Sequence, residues 1–257
     1  MQSEEVLRSF YYYLGNFLLG TSDILINTNK DNQIMKPIKI FFFGDSICVG
    51  QYIALHKGWV TRLSSLLSRL AEERGFEVIV ANASANGRTT RQALEFMPYE
   101  VQSYRPEILI VQFGINDCNY WETDQGVPRV SPKAFAANLE EIIQRALAFG
   151  AQKIFLHTNH PIARDQDCFP HTKITHAQSN QNYNAVIREV AAQQPENIPL
   201  NDIEKVFQDY YGDKKENLLS LLLPAPDLIH PSELGHQLYL NAIQPVLTKT
   251  ILELVET

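Results

Sequence analysis

The stretch Ile38-Lys39-Ile40-Phe41-Phe42-Phe43-Gly44-Asp45-Ser46 constrains the fold more than any other part of the chain. An apolar run rich in isoleucine and phenylalanine stops abruptly at a glycine, an acid and a serine. That pattern predicts a buried strand delivering Ser46 onto a tight turn at its C-terminal end. In open α/β sheets, ligand crevices form outside that edge, where the strand order reverses.

Downstream, short apolar runs alternate with stretches of helical periodicity. Strands are expected at 76–81, 107–113, 153–157 and 198–200, and helices at 59–70, 88–104 (interrupted near Pro98), 132–149, 175–193, 203–211 and 232–254. Ser131 caps the 132–149 helix, with proline at its first position, and Pro245 is expected to bend the last one. Strand-helix alternation of this kind predicts a parallel, doubly wound sheet. Before the first strand, Val6, Leu7, Phe10, Tyr13, Leu14, Phe17 and Leu18 fall at helical spacing within residues 2–20, and 28–33 reads as a polar linker. The chain therefore divides into an N-terminal helical extension with its linker, 1–36, and a main domain, 37–257. The amphipathic helix either packs on that domain or forms an arm that contacts a second copy in a homo-oligomer.

Composition excludes several partners. Hydrophobic residues make up 45% of the 257 and charged residues 20%, enough apolar side chains for a large core. A net charge of −7 without a basic block argues against nucleic acid or an anionic membrane surface, and favours a neutral small molecule. Cys48, Cys118 and Cys168 are too scattered for a disulfide framework, and no pair has metal-ligand spacing, so a reducing compartment and free thiols are expected. The apolar stretch 10–19 follows Glu4 and Glu5 rather than a basic segment, and at about ten residues it is too short to span a bilayer. A cytoplasmic location without stable membrane insertion is the expectation.

Polar groups gather at four strand ends or helix entries: Gly44-Asp45-Ser46, the small-residue loop 82–88, Phe113-Gly114-Ile115-Asn116-Asp117, and Asp227-Leu228-Ile229-His230-Pro231. Acyl transfer from an ester needs a nucleophile, a base to take its proton, a group to orient the base, and donors for the oxyanion. Ser46 suits the first role and His230, an imidazole titrating near neutrality, the second. Asp227, three residues before the histidine, suits the third. The N–H groups of Ser46 and Gly87 and the side-chain amide of Asn116 suit the fourth.

These blocks resemble the SGNH subgroup of the GDSL hydrolases, named for one Ser, Gly, Asn and His in four blocks. Here they are Ser46, Gly87, Asn116 and His230, in the family's order over roughly 37–250. The resemblance implies a flavodoxin-like three-layer α/β/α sandwich with a five-stranded parallel sheet in the order 2-1-3-4-5. It also implies hydrolysis of a carboxylic ester or O-acyl group, without metal or cofactor. Cys48 occupies the second glycine position of a Gly-x-Ser-x-Gly elbow, which argues against an ordinary α/β-hydrolase. An O-acylated sugar, O-acetyl above all, is the first substrate expectation and a lysophospholipid or longer acyl ester the second. Acyl transfer by the same residues and a non-catalytic binding module stay open.

Several residues carry both a functional and a packing reading. Asp45 and Asp117 can brace their turns, and Asp45 can also border the substrate. Tyr120 and Trp121 can form an aromatic wall or pack. His160, following the fourth strand, can line the cleft. His157, His171 and His176 lack metal-binding spacing and read as loop or core residues. The segment 165–176 can form a rim, and 218–223 a core segment or an acyl groove.

Overall fold

The computed structural model describes residues 36–195 and 198–256; the helix expected at 2–20, its linker and any subunit contact through it lie outside them. Five parallel strands form one sheet in the order β2-β1-β3-β4-β5: β1 (Ile38–Gly44), β2 (Val78–Asn82), β3 (Ile108–Gln112), β4 (Lys153–His157) and β5 (Leu200–Asn201). The described helices are α1 (Ser46–Val49), α2 (Trp59–Arg74), α3 (Thr90–Glu100), α4 (Pro132–Ala148), α5 (His176–Ala192), α6 (Ile203–Tyr211), α7 (Lys215–Leu221) and α8 (Glu233–Val255).

Alternation along the strands sorts the helices into two layers. Phe41 and Phe43 of β1 face one way, with Leu109, Val111, Ile154 and Leu156, into a core closed by α3, α4 and α5. Ile40 and Phe42 face the other, with Ile108, Ile110 and Phe155, under α2, α6 and α8. Both faces of β1 are thus covered from Ile40 onward, which is why its sequence runs apolar from there to Phe43. Burying each such phenylalanine contributes roughly 1.5–3 kcal/mol. This is the flavodoxin-like three-layer sandwich expected from the sequence, and its order reverses between β1 and β3.

Local differences have local causes. β2 begins at Val78 rather than at residue 76, because Gly75 closes α2 in the left-handed conformation and the N–H of Phe76 still bonds to Ala71 O at 3.1 Å. Phe76 is buried as a turn residue. α3 starts at Thr90 because Thr89 and Gln92 form a capping box, and it runs through Pro98 to Glu100 before a 3₁₀ turn over Gln102–Tyr104. β5 has only two residues, Leu200 and Asn201, paired with Leu156 and His157. In the 218–223 segment, Leu218, Leu221 and Leu222 are buried, so half of it is core. Among the described residues, no helix is long and apolar enough to cross a membrane.

Candidate active site

The turn after β1 carries Ser46 at the first position of α1. Asp45 is the N-cap: its extended backbone (φ −111°, ψ −154°) lets Oδ1 accept from Ile47 N–H at 3.0 Å. With the cap supplied by Asp45, the Ser46 hydroxyl is free for another partner. That partner is His230, whose Nε2 lies 3.0 Å from Ser46 Oγ.

Asp227 fixes the tautomer of His230. Its Oδ2 lies 2.8 Å from His230 Nδ1, and a carboxylate oxygen only accepts, so Nδ1 carries the proton. Nε2 is then the acceptor, aimed at the Ser46 hydroxyl. Asp227 Oδ1 meanwhile accepts from Ile229 N–H at 2.9 Å and His230 N–H at 2.6 Å. Burial pushes the Asp227 carboxyl up, but the His230 and Ile229 N–H groups and the imidazole outweigh it and hold it below its ordinary value.

Two loops bring N–H donors to the same sheet edge. Gly87 has φ 72°, a conformation that favours glycine, in the loop between β2 and α3. Gly114 has φ 134°, and a Cβ there would overlap the Asn159 side chain, so the chain turns tightly out of β3 into Asn116 and Asp117. The Asn116 amide donates to Asp45 Oδ2 at 3.3 Å, which ties the loop to the serine turn. Asp117 Oδ1 accepts from Thr90 N–H at 2.9 Å and from the Thr90 hydroxyl, tying it to α3 as well. Neither the Ser46 nor the Gly87 N–H donates to an acceptor among the described residues.

The structure therefore brings Ser46, Asp227, His230 and Asn116 into one hydrogen-bonded cluster, with Asp45 as its internal brace. Three residues that the sequence allowed to line the cleft are buried away from it, and for Asp45 and Tyr120 the alternative role, bracing or packing, is the one found. Asp45 is fully buried under the turn and cannot border a substrate. His160 is fully buried beneath the histidine loop. Its Nε2 lies 2.7 Å from Ile229 O, a pure acceptor, so Nε2 carries the proton and Nδ1 accepts from Tyr239 O–H at 2.8 Å. Tyr120 is buried against Phe169, ring centroids 4.8 Å apart, and is packing rather than wall. Trp121 is 53% exposed and remains at the surface.

Residues outside the four sequence blocks hold this cluster. Arg129 donates to Gly87 O at 3.2 and 3.3 Å and to Asn116 O at 3.5 Å, and its guanidinium lies 4.4 Å from the centre of the Trp121 ring. One cation thus joins the two donor loops. Behind the site, Trp59 donates from Nε1 to Ile47 O at 3.0 Å and stacks on Tyr239 at 5.4 Å. Tyr239 bonds to His160, and His160 to the carbonyl before His230. A buried aromatic chain therefore links the serine turn to the histidine loop. Tyr52, 69% exposed, meets the His230 ring edge-on at 5.1 Å. Nothing in the sequence pattern marks it.

The buried titratable groups pull stability in opposite directions with pH. Burial lowers His157 to about 3 and His160 and His236 to about 4, and it raises Asp45 to about 7 and Asp117 to about 6. Each lowered histidine contributes stability that is complete above its unfolded value of 6.5 and lost as pH falls towards 4. Each raised carboxyl contributes stability present below 3.8 and lost as pH rises through its folded value. Between about pH 6 and 4 the buried histidines, with half-buried His176 lowered as well, outnumber the two raised carboxyls, so acidification is expected to destabilise the fold. Urea midpoints at a series of pH values test this. Asp117→Asn removes one opposing carboxyl and is expected to steepen this dependence; a midpoint that rises on acidification would contradict the balance.

With the geometry in hand, comparison with known proteins gives a consistent picture. The profile of the GDSL-like Lipase/Acylhydrolase family matches residues 42–238. The arylesterase of Vibrio mimicus is 28% identical over 123 residues, 48% of this chain and 56% of the relative. Esterase TesA of Pseudomonas aeruginosa (strain PAO1) is 31% identical over 113 residues, 44% of this chain and 50% of the relative. The matched stretch thus spans about half the length of these curated relatives. Among solved structures, the lipase/acylhydrolase from Enterococcus faecalis superposes with a TM-score of 0.62 at 25% identity, covering 83% of this chain and 96% of that one.

Proposed function

The chain belongs to the GDSL-like lipase/acylhydrolase family, and on that premise we propose that it is a serine esterase that hydrolyses carboxylic esters or O-acyl groups through an acyl-enzyme. The observation that carries the reading is the continuous chain from Asp227 through His230 to the Ser46 hydroxyl, at 2.8 and 3.0 Å. Ser46 Oγ attacks the ester carbonyl as His230 Nε2 takes its proton, and Asp227 stabilises the imidazolium that forms. The carbonyl oxygen becomes an oxyanion held by the Ser46 and Gly87 N–H groups and the Asn116 amide. His230 then protonates the leaving alcohol. Water, deprotonated by the same imidazole, attacks the acyl-serine, and the imidazolium returns that proton to Ser46 Oγ as the acyl–oxygen bond breaks and the acid is released.

The amide of Asn116 has two hydrogens. One is committed to Asp45, which leaves the other for the oxyanion. The acyl group proposed is acetyl, on a sugar or another alcohol, with longer acyl esters as second substrates. Hydrolysis of p-nitrophenyl acetate by the wild type and Ser46→Ala tests the reaction. Extending it to butyryl and octanoyl esters and to acetylated sugars tests the substrate. Equal rates in the two proteins would remove the proposal.

Arg129 acts here as a positioning residue, because it reaches two backbone carbonyls and no reacting atom. Arg129→Ala is expected to lower kcat about tenfold with little change in KM, since the donors it aligns matter most in the transition state. Arg129→Lys should recover only part of this, as an ammonium lacks the fork that spans two carbonyls. A raised KM at unchanged kcat would show that Arg129 holds substrate instead.

A further inference from the structure

One wall of the site is left unused by the chemistry above. Tyr52 sits in the turn that follows α1 with φ 67°, a backbone conformation that a bulky L-residue rarely holds. That strain keeps a large ring in solvent beside the imidazole of His230. Such outliers persist where the surrounding structure enforces them, and they cluster at ligand sites. Tyr52 is also one side of an open groove of about 570 Å³, whose other walls include Leu223, Pro224, Pro226, Asp227 and Arg164. Its lining is mainly apolar, with the Arg164 guanidinium held in place by its bond to Pro226 O at 2.7 Å.

The position of this groove decides what part of an ester it can take. His230 must hand its proton to the leaving oxygen, so the alcohol half lies on the histidine's side of the scissile bond. The groove begins at the residues that orient and flank that histidine, Asp227 and Tyr52. We infer that it is the leaving-group subsite, and that it selects alcohols carrying a six-membered ring whose face lies against Tyr52. A phenol and the C–H face of a pyranose share that chemistry, while a short alkyl alcohol has no face to offer. The inference rests on the ester-hydrolase reading and names the substrate class within it.

A leaving-group subsite has a kinetic signature. All acetyl esters pass through the same acetyl-serine, so Tyr52 should act on acylation by ring-bearing esters and have no grip on deacylation. In Tyr52→Ala, the ratio of kcat/KM for phenyl acetate, or for a mono-O-acetylated methyl xyloside, to that for methyl acetate is expected to fall about tenfold. A fall with the phenyl ester alone assigns the groove to phenols, and one with the xyloside alone assigns it to sugars; either supports the subsite. Tyr52→Gly should show the same selective loss together with a higher urea midpoint, because glycine accepts the positive φ, and this separates loss of the ring from loss of structure. An equal loss on methyl acetate would overturn the subsite, since Tyr52 would then merely order His230. So would a loss that tracks acyl length between acetyl and butyryl phenyl esters. A wild-type protein that hydrolysed none of these esters and resisted a fluorophosphonate probe would instead overturn the esterase reading itself.

Discussion

Replacement of Ser46 by alanine is expected to lower hydrolysis of p-nitrophenyl acetate by about 10⁴-fold or more, to a residue of activity owed to the oxyanion donors alone. Among the described residues, Ser46 Oγ is the only hydroxyl bonded to His230 Nε2, so no neighbouring group there inherits the attack. His230→Ala is expected to fall nearly as far, and the double variant no further than the worse single one. Members of one nucleophile-base unit are not additive: once the hydroxyl is gone, there is no proton for the imidazole to take. The fold should tolerate Ser46→Ala, because Asp45 rather than Ser46 caps α1 through Ile47 N–H at 3.0 Å. Steady-state rates, with the wild type counted by fluorophosphonate titration, check the losses, and the urea midpoint of each variant checks the fold. Additive losses in the double variant would mean that Ser46 and His230 work independently, against the 3.0 Å contact between them.

What the sequence made legible was the part written in local pattern. The apolar run 40–43 is covered on both faces, and polar blocks at the C-terminal ends of β1, β2 and β3 meet at one sheet edge with the histidine loop because parallel strands all end there. Asp-x-x-His likewise put a carboxylate within reach of an imidazole on one short loop. The residues that carried two readings share another cause. Being close to a strand end does not say whether a side chain points outward or inward, and His160 and Asp45 both point inward, where fixed partners use their polar atoms. Nearness to Asn116 along the chain leaves Tyr120 free to be wall or packing, and Phe169 draws it into packing. Arg129 escaped notice because it works on backbone carbonyls of residues 42 and 13 positions away, and a carbonyl has no letter in a sequence. Tyr52 escaped because a positive φ at a tyrosine follows from the turn around it, not from the residue type.

The second large effect is expected at Asn116. Asn116→Ala should lower kcat by about 10²–10³-fold with KM nearly unchanged, the usual consequence of removing one oxyanion donor. The ground-state carbonyl oxygen carries little charge and asks little of the amide, while the tetrahedral oxyanion asks much, so the loss falls on the transition state. Asp45 sharpens the expectation. Its Oδ2 holds one amide hydrogen at 3.3 Å, so in the proposed mechanism the amide is already fixed before substrate arrives and its second hydrogen needs little reorganisation to meet the oxyanion. Asn116→Asp keeps the side-chain shape but replaces the donor with an acceptor facing both the developing oxyanion and the buried Asp45. It should therefore be worse than alanine in kcat. It should also be less stable at pH 8 than at pH 6, since Asp45, with its pKa raised to about 7 by burial, ionises between them and then repels the new carboxylate. An Asn116→Ala enzyme within threefold of wild type, or an aspartate variant more active than the alanine one, would take Asn116 out of the oxyanion hole and leave it as the brace of its loop.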